Sequence, residues 1–147
     1  SATFRAATVK FEPRLSQGFT REDLEKTLST EGNATKHTAA AMGLSWLERV
    51  EKEGGSAMIE FPLLDLNKGQ VSLLVLPGEI YIEYQLYAQK INPESFVMTA
   101  AYGESGPGYI PVERAWREND QNLNDWCWIA PGMEERIKKA LYGLLKP

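Results

Sequence analysis

Few side chains in this sequence are placed to do chemistry, and the most suggestive is a glutamate. The stretch LVLPGEIYIEYQLYAQK carries an apolar run that stops at Pro77-Gly78, with Glu79 standing where the chain turns. A second loop, YGESGPGYIP, holds Glu104, Gly108 and Tyr109, and Glu113 opens the short helical pattern that follows. A carboxylate and a phenol are oxygen donors for a hard or borderline cation, and a carboxylate beside a metal also serves as a base. Glu79, Glu104 and Tyr109 are therefore the candidate cluster, with Glu83 one helical turn from Glu79 if a helix begins at Glu79.

Each of these residues also has a purely structural explanation. An acid at a helix start is favoured by the macrodipole without any function. Tyr81, Tyr84 and Tyr87 read as a packing face with wet hydroxyls. GESGPG lacks the Lys-Ser/Thr pair of a phosphate-binding loop. His37 is the only histidine and Cys127 the only cysteine, and neither has a metal-ligating or catalytic partner at a useful spacing. The Trp126-Cys127-Trp128 triplet reads as core.

The elements that must position the cluster follow from periodicity. Alternating residues from Phe4 to Phe11 predict a strand, here without a visible partner. Thr20 and Asp23 mark a helix start, and Asn33 caps a longer helix that ends at Gly54-Gly55. Residues 56 to 76 read as two strands around Asn67-Lys68-Gly69, the second (VSLLVL) apolar enough to predict cover on both faces. A helix over Glu79 to Asn92 and a strand over SFVMTAA complete a βαβ unit at about residues 70–101, which requires a parallel pair. A short helix is expected over Val112 to Arg117, and a final one from Pro131 with acids at its start. The fold class is thus α/β, a mixed sheet with a parallel βαβ unit and helices packed on it. The 147 residues suit a single domain. Loops leaving the carboxyl ends of adjacent parallel strands are where ligands collect, and both candidate loops leave such ends.

Composition narrows the partners. Sixteen basic residues against twenty acidic ones give a net charge of −4. With no Lys/Arg cluster, nucleic acid is not expected as a partner. The longest apolar run, Leu73 to Leu76, is too short for a transmembrane segment.

LLVLPGE and SFVMTAAYGESGPGYIPVERAW together resemble the C-terminal half of the catalytic domain of neutral/alkaline non-lysosomal ceramidases, and more closely the bacterial proteins of that superfamily with undefined substrates. The resemblance spans roughly residues 70 to 117. It implies a zinc-dependent hydrolase acting on an amide bond, with Glu79 and Tyr109 as metal ligands. It also implies that Pro77 and Gly78 form the turn that presents the carboxylate, and that Glu113 is the acid following the tyrosine motif. Where the ceramidase motif has a second tyrosine and a threonine pair, this chain has Glu104 to Gly108 and Pro111. An amide substrate is implied without ceramide being assigned.

The family's histidine ligands have no counterpart here. The resemblance therefore implies that the chain is the C-terminal portion of a larger catalytic domain, inactive and zinc-free alone, whose partner is the missing N-terminal part. A secreted or periplasmic location is also implied. The alternative expectation is a non-catalytic ligand-binding or scaffold module that retains the fold.

Overall fold

The structure, a computed structural model, describes residues 1–30, 32–104 and 106–146. Its fold is α/β, with helices packed on a mixed four-stranded sheet. Strand β1 (Ala2–Phe11) pairs antiparallel with β2 (Ala57–Leu66) over its whole length, so the first strand does have a partner, far along the chain and in register from Ala2↔Leu66 to Phe11↔Ala57. Between them lie α1 (Arg21–Ser29) and α2 (Ala34–Lys52). The hydroxyl of Thr20 accepts from the Asp23 N–H at the start of α1, and the Asn33 side chain accepts from the Thr35 N–H at the start of α2. These are the caps that the residue types call for.

Strand β2 turns through Asn67, Lys68 and Gly69, all at positive φ, into β3 (Val71–Val75). Strand β3 then pairs in parallel with β5 (Phe96–Ala100), reached through α3 (Ile82–Ile91), so the predicted βαβ unit is present. The sheet order is β1-β2-β3-β5. The last helix, α5 (Glu134–Leu145), lies against β1 and α3 and buries Ile137, Leu141, Leu144 and Leu145 at helical spacing.

The two faces of the sheet differ. On one, Ile59, Phe61, Leu63 and Leu74 are fully buried. On the other, Leu64, Val71, Leu73 and Val75 are only half-buried, while Phe4, Phe96 and Met98 are exposed. The run VSLLVL was expected to be covered on both sides, and it is covered on one. Among the described residues no helix is long and apolar enough to cross a membrane.

A second correction bears on the site. The helix expected from Glu79 starts three residues later, at Ile82 with Tyr81 as N-cap. Glu79 and Ile80 instead form a two-residue strand, β4, which pairs in parallel with β6 (Tyr109–Ile110). Glu79 is therefore not an acid drawn to a helix terminus. A short helix, α4 (Glu113–Arg117), and one 3-10 turn at Gln121–Leu123 lead back toward α5.

Candidate functional site

Two glycines make the β4–β6 contact. Gly78 has φ +53° and Gly108 has φ +67°, values that L side chains adopt at a cost. Neither has room for a methyl group. A Cβ on Gly78 would collide with the Gly108 carbonyl, and one on Gly108 would strike the Trp126 carbonyl and sit 2.7 Å from the Trp128 ring. The close approach is fastened by backbone bonds: the Glu79 N–H donates to the Gly108 carbonyl at 2.8 Å, and the Tyr81 N–H to Ile110 at 3.0 Å. Behind them the Tyr109 N–H donates to Trp126 at 2.8 Å, and the Gly78 N–H to the Glu104 carbonyl at 2.7 Å. Pro77 is buried at the turn.

In this ladder Glu79 and Tyr109 are directly opposite, and paired residues on neighbouring strands project to the same face. Both are half-buried, and the Tyr109 ring packs against the hydrophobic core. Burial, then the charge of Glu79 and hydrogen bonding to it, hold the Tyr109 phenol above its ordinary pKa of 10.0. At neutral pH this phenol is protonated. A cation between the two would reverse that preference, because it favours phenolate and carboxylate together.

The Tyr81 ring packs edge-on against Tyr109, with centroids 6.2 Å apart. Its hydroxyl donates to Asp120 Oδ2 at 2.7 Å, while Asp120 Oδ1 accepts from the Asn122 N–H at 3.0 Å. That backbone bond, followed by the one from Tyr81, holds the Asp120 carboxyl below its usual range. Asp120 thus anchors Tyr81, and Tyr81 flanks Tyr109. Tyr102 is another neighbour, exposed and at φ +62°, with its N–H donating to the Gly78 carbonyl at 3.1 Å. A bulky residue in the left-handed region is uncommon and costs about 1 kcal/mol or more.

The remaining expected site residues are engaged elsewhere. The Glu104 carboxylate is paired with Arg49 of α2, which also holds Glu53 at 2.8 Å, so Glu104 joins the site through its backbone carbonyl only. Glu83 is tied to Arg114 at 2.6 Å. Glu113 accepts from the Gly132 N–H at 2.6 Å, while Glu134 accepts from the Glu113 N–H at 2.6 Å, a reciprocal exchange across the starts of α4 and α5. Gly108 is a positioning residue, buried beneath the ladder. His37 Nε2 lies 2.7 Å from the Thr30 carbonyl at the end of α1. Cys127 is fully buried, and burial pushes its thiol up to about 11, the opposite of what a nucleophile needs. Tyr84 is fully buried, its hydroxyl donating to the Pro111 carbonyl at 2.8 Å, and it is not part of a wet face.

Next to Tyr81 a groove of about 240 Å³ is lined by Leu76, Ile80, Tyr81, Ile82, Gln85 and Thr99. A larger groove, about 360 Å³, runs by Leu24, Lys36 and Ala40 and includes neither Glu79 nor Tyr109.

Sequence reasoning passed over Asp120, Tyr81 as an aromatic flank, and Tyr102. Asp120 lies in an aperiodic stretch with no motif around it, and only the return of the chain beneath β6 brings it close. Among the described residues no three His, Cys, Asp or Glu side chains come together to hold a metal ion. The donor set at the ladder is one carboxylate and one phenol, which fits part of a cation's shell. No protein-family model, curated protein or solved structure matches the chain.

Proposed function

We propose that this chain is the C-terminal part of a zinc-dependent hydrolase of the ceramidase-like superfamily, acting on an amide bond, and that it contributes Glu79 and Tyr109 as metal ligands. The observation that carries this reading is the parallel register that sets Glu79 opposite Tyr109 at the carboxyl end of the β3–β5 pair. What supports it further is contrast. Every other acid considered for the site has a cation or a backbone N–H on its carboxylate, whereas among the described residues no cation is paired with Glu79.

When bound, zinc would supply Lewis-acid activation of water and of an amide carbonyl. The chain's own residues do the rest of what is assigned to it. Gly78 and Gly108 allow the two loops to close to backbone contact. Glu79 offers a carboxylate held at its main chain from both sides. Tyr109 keeps its proton until a cation replaces it, and Tyr81, fixed by Asp120, limits the swing of the Tyr109 ring. The apolar groove beside Tyr81 would receive a hydrocarbon portion of the substrate.

The full-length protein, assayed for zinc content and amide hydrolysis, tests this reading. Glu79→Ala is expected to lose bound zinc and to lower turnover by at least about 100-fold, and Tyr109→Phe by about 10- to 100-fold. Unchanged zinc content and turnover in both variants would refute it.

A further inference from the structure

We infer that the polar cavity beside the β2–β3 hairpin is a binding site for a small oxyanion, a phosphate or carboxylate group, held chiefly by Arg5 and Lys68. The cavity lies at the start of β3, whereas Glu79 follows its end, so the site does not depend on the metal-site reading.

At this end the covered face of the sheet stops being apolar. Beyond Leu63 and Leu74 comes a rung in which Thr3 pairs with Asp65 and Asp65 with Ser72. Ser72 is only 1% exposed. A cavity of about 320 Å³ opens there, lined by Thr3, Arg5, Asp65, Lys68, Ser72 and Asn92, with Leu145 of α5 as an apolar wall.

The balance of donors and acceptors identifies the ligand. Asp65 is the one acid among the lining residues, and both its oxygens are taken: Oδ2 accepts from Arg5 Nη2, and Oδ1 from the Ser72 hydroxyl at 2.5 Å. Donors are left over. Arg5 carries five N–H groups, and its buried Nε has no partner among the described residues. An orphaned buried donor calls for an acceptor. Among the described residues Lys68 forms no ion pair and the Asn92 amide no side-chain hydrogen bond, although both line the same cavity. A negatively charged, acceptor-only group satisfies these donors together, through the charge-assisted bonds that guanidinium and ammonium make best.

The backbone of Lys68 supports the same assignment. Asn67 and Lys68 stand at φ +49° and +60°, the two central positions of a hairpin turn, where the second favours Gly. A long cation there is strained for the turn and useful to an anion. Charge at the rim has two sides. Helices α3 and α5 both end here, and the partial negative charge of their C-termini opposes an anion, as does Glu94 just beyond Asn92. Lys90 in the last turn of α3 and Lys146 at the cap of α5 offset them, leaving Arg5 and Lys68 in excess over Asp65.

Calorimetric titration of the metal-free full-length protein with inorganic phosphate, and separately with succinate, at constant ionic strength in sodium chloride tests this assignment. At least one probe should saturate a single site below about 10 mM. Saturation by phosphate alone would assign a tetrahedral oxyanion, and by succinate alone a carboxylate. Lys68→Gly suits the positive φ and so keeps the fold, yet it should weaken binding about tenfold. Arg5→Lys leaves a cation for Asp65 but removes the planar fork, and should weaken binding at least about tenfold. Lys26→Ala, which removes an exposed charge from α1, should change affinity less than about twofold.

Heats that never saturate with either probe would overturn the proposal. So would full affinity in both Lys68→Gly and Arg5→Lys, or an equal loss in Lys26→Ala and Lys68→Gly, which would reduce the effect to net charge.

Discussion

Two places in this molecule set acidic side chains at the start of short elements, and they resolve in opposite ways. At the α4–α5 junction, burial alone would raise the Glu134 carboxyl, but Lys138 and the Glu113 N–H together hold it below its usual range. Glu113 in turn accepts from the Gly132 N–H, so each acid there satisfies a backbone donor that would otherwise be orphaned. At the β4–β6 ladder, Glu79 has its backbone fixed and its carboxylate left with a phenol. The first arrangement is explained by the fold. The second is the arrangement on which the metal-site proposal rests.

The comparison can be broken most severely at Gly108. Replacing it with Ala forces a strained φ and a collision with Trp126 and Trp128, with no flexible side chain to move aside. Chemical denaturation should show a loss of about 3 kcal/mol or more. The same change at Gly132, which has φ +92° but open space around it, should cost only about 1 kcal/mol. Equal losses would mean that the loops are not held by close approach.

Cys127 lies directly under this contact, bridged to Gly108, and gives a pH signature. Its folded pKa is about 11 against an ordinary 9.0, so the unfolded thiol ionises first as pH rises. Stability from this group is therefore complete below about pH 9 and falls at up to roughly 1.4 kcal/mol per pH unit as pH climbs toward 11. In Cys127→Ala that component of the alkaline slope should vanish. A thiol reagent should leave Cys127 unlabelled at pH 8 in the folded chain and label it after unfolding.

The smallest effects bear on the two acids themselves. Glu113→Ala removes the acceptor for the Gly132 N–H and should cost about 1 kcal/mol with no change in metal affinity. Glu79→Ala should change the stability of the chain by less than about 0.5 kcal/mol. If Glu79→Ala were the more destabilising of the two, its carboxylate would have a structural role and the contrast would disappear.

How much of this was legible in the sequence depends on element length. The β3–α3–β5 unit was readable because an apolar run, a helical stretch and a second apolar run leave few alternatives, and Asn67-Lys68-Gly69 marked its hairpin. Strands β4 and β6 are two residues each, too short for any periodicity, and their register depends on backbone contacts through Gly78 and Gly108. The acid at Glu79 also resembled a helix start, which moved the expected helix three residues early. The pairing of Glu104 with Arg49 was hidden for a different reason: the partners are 55 residues apart, on elements with no sequence relation. The apolar character of VSLLVL was read correctly, but only one of the two predicted covers is present among the described residues.

If Glu79 and Tyr109 address one cation, ultraviolet difference spectroscopy of the full-length protein during zinc titration at pH 7.5 will report it. Because the Tyr109 phenol is held protonated without metal, zinc binding should produce a phenolate band at one equivalent, absent in Tyr109→Phe and shifted to much higher zinc in Glu79→Ala. Stoichiometric zinc binding with no phenolate signal, equally tight in both variants, would contradict it.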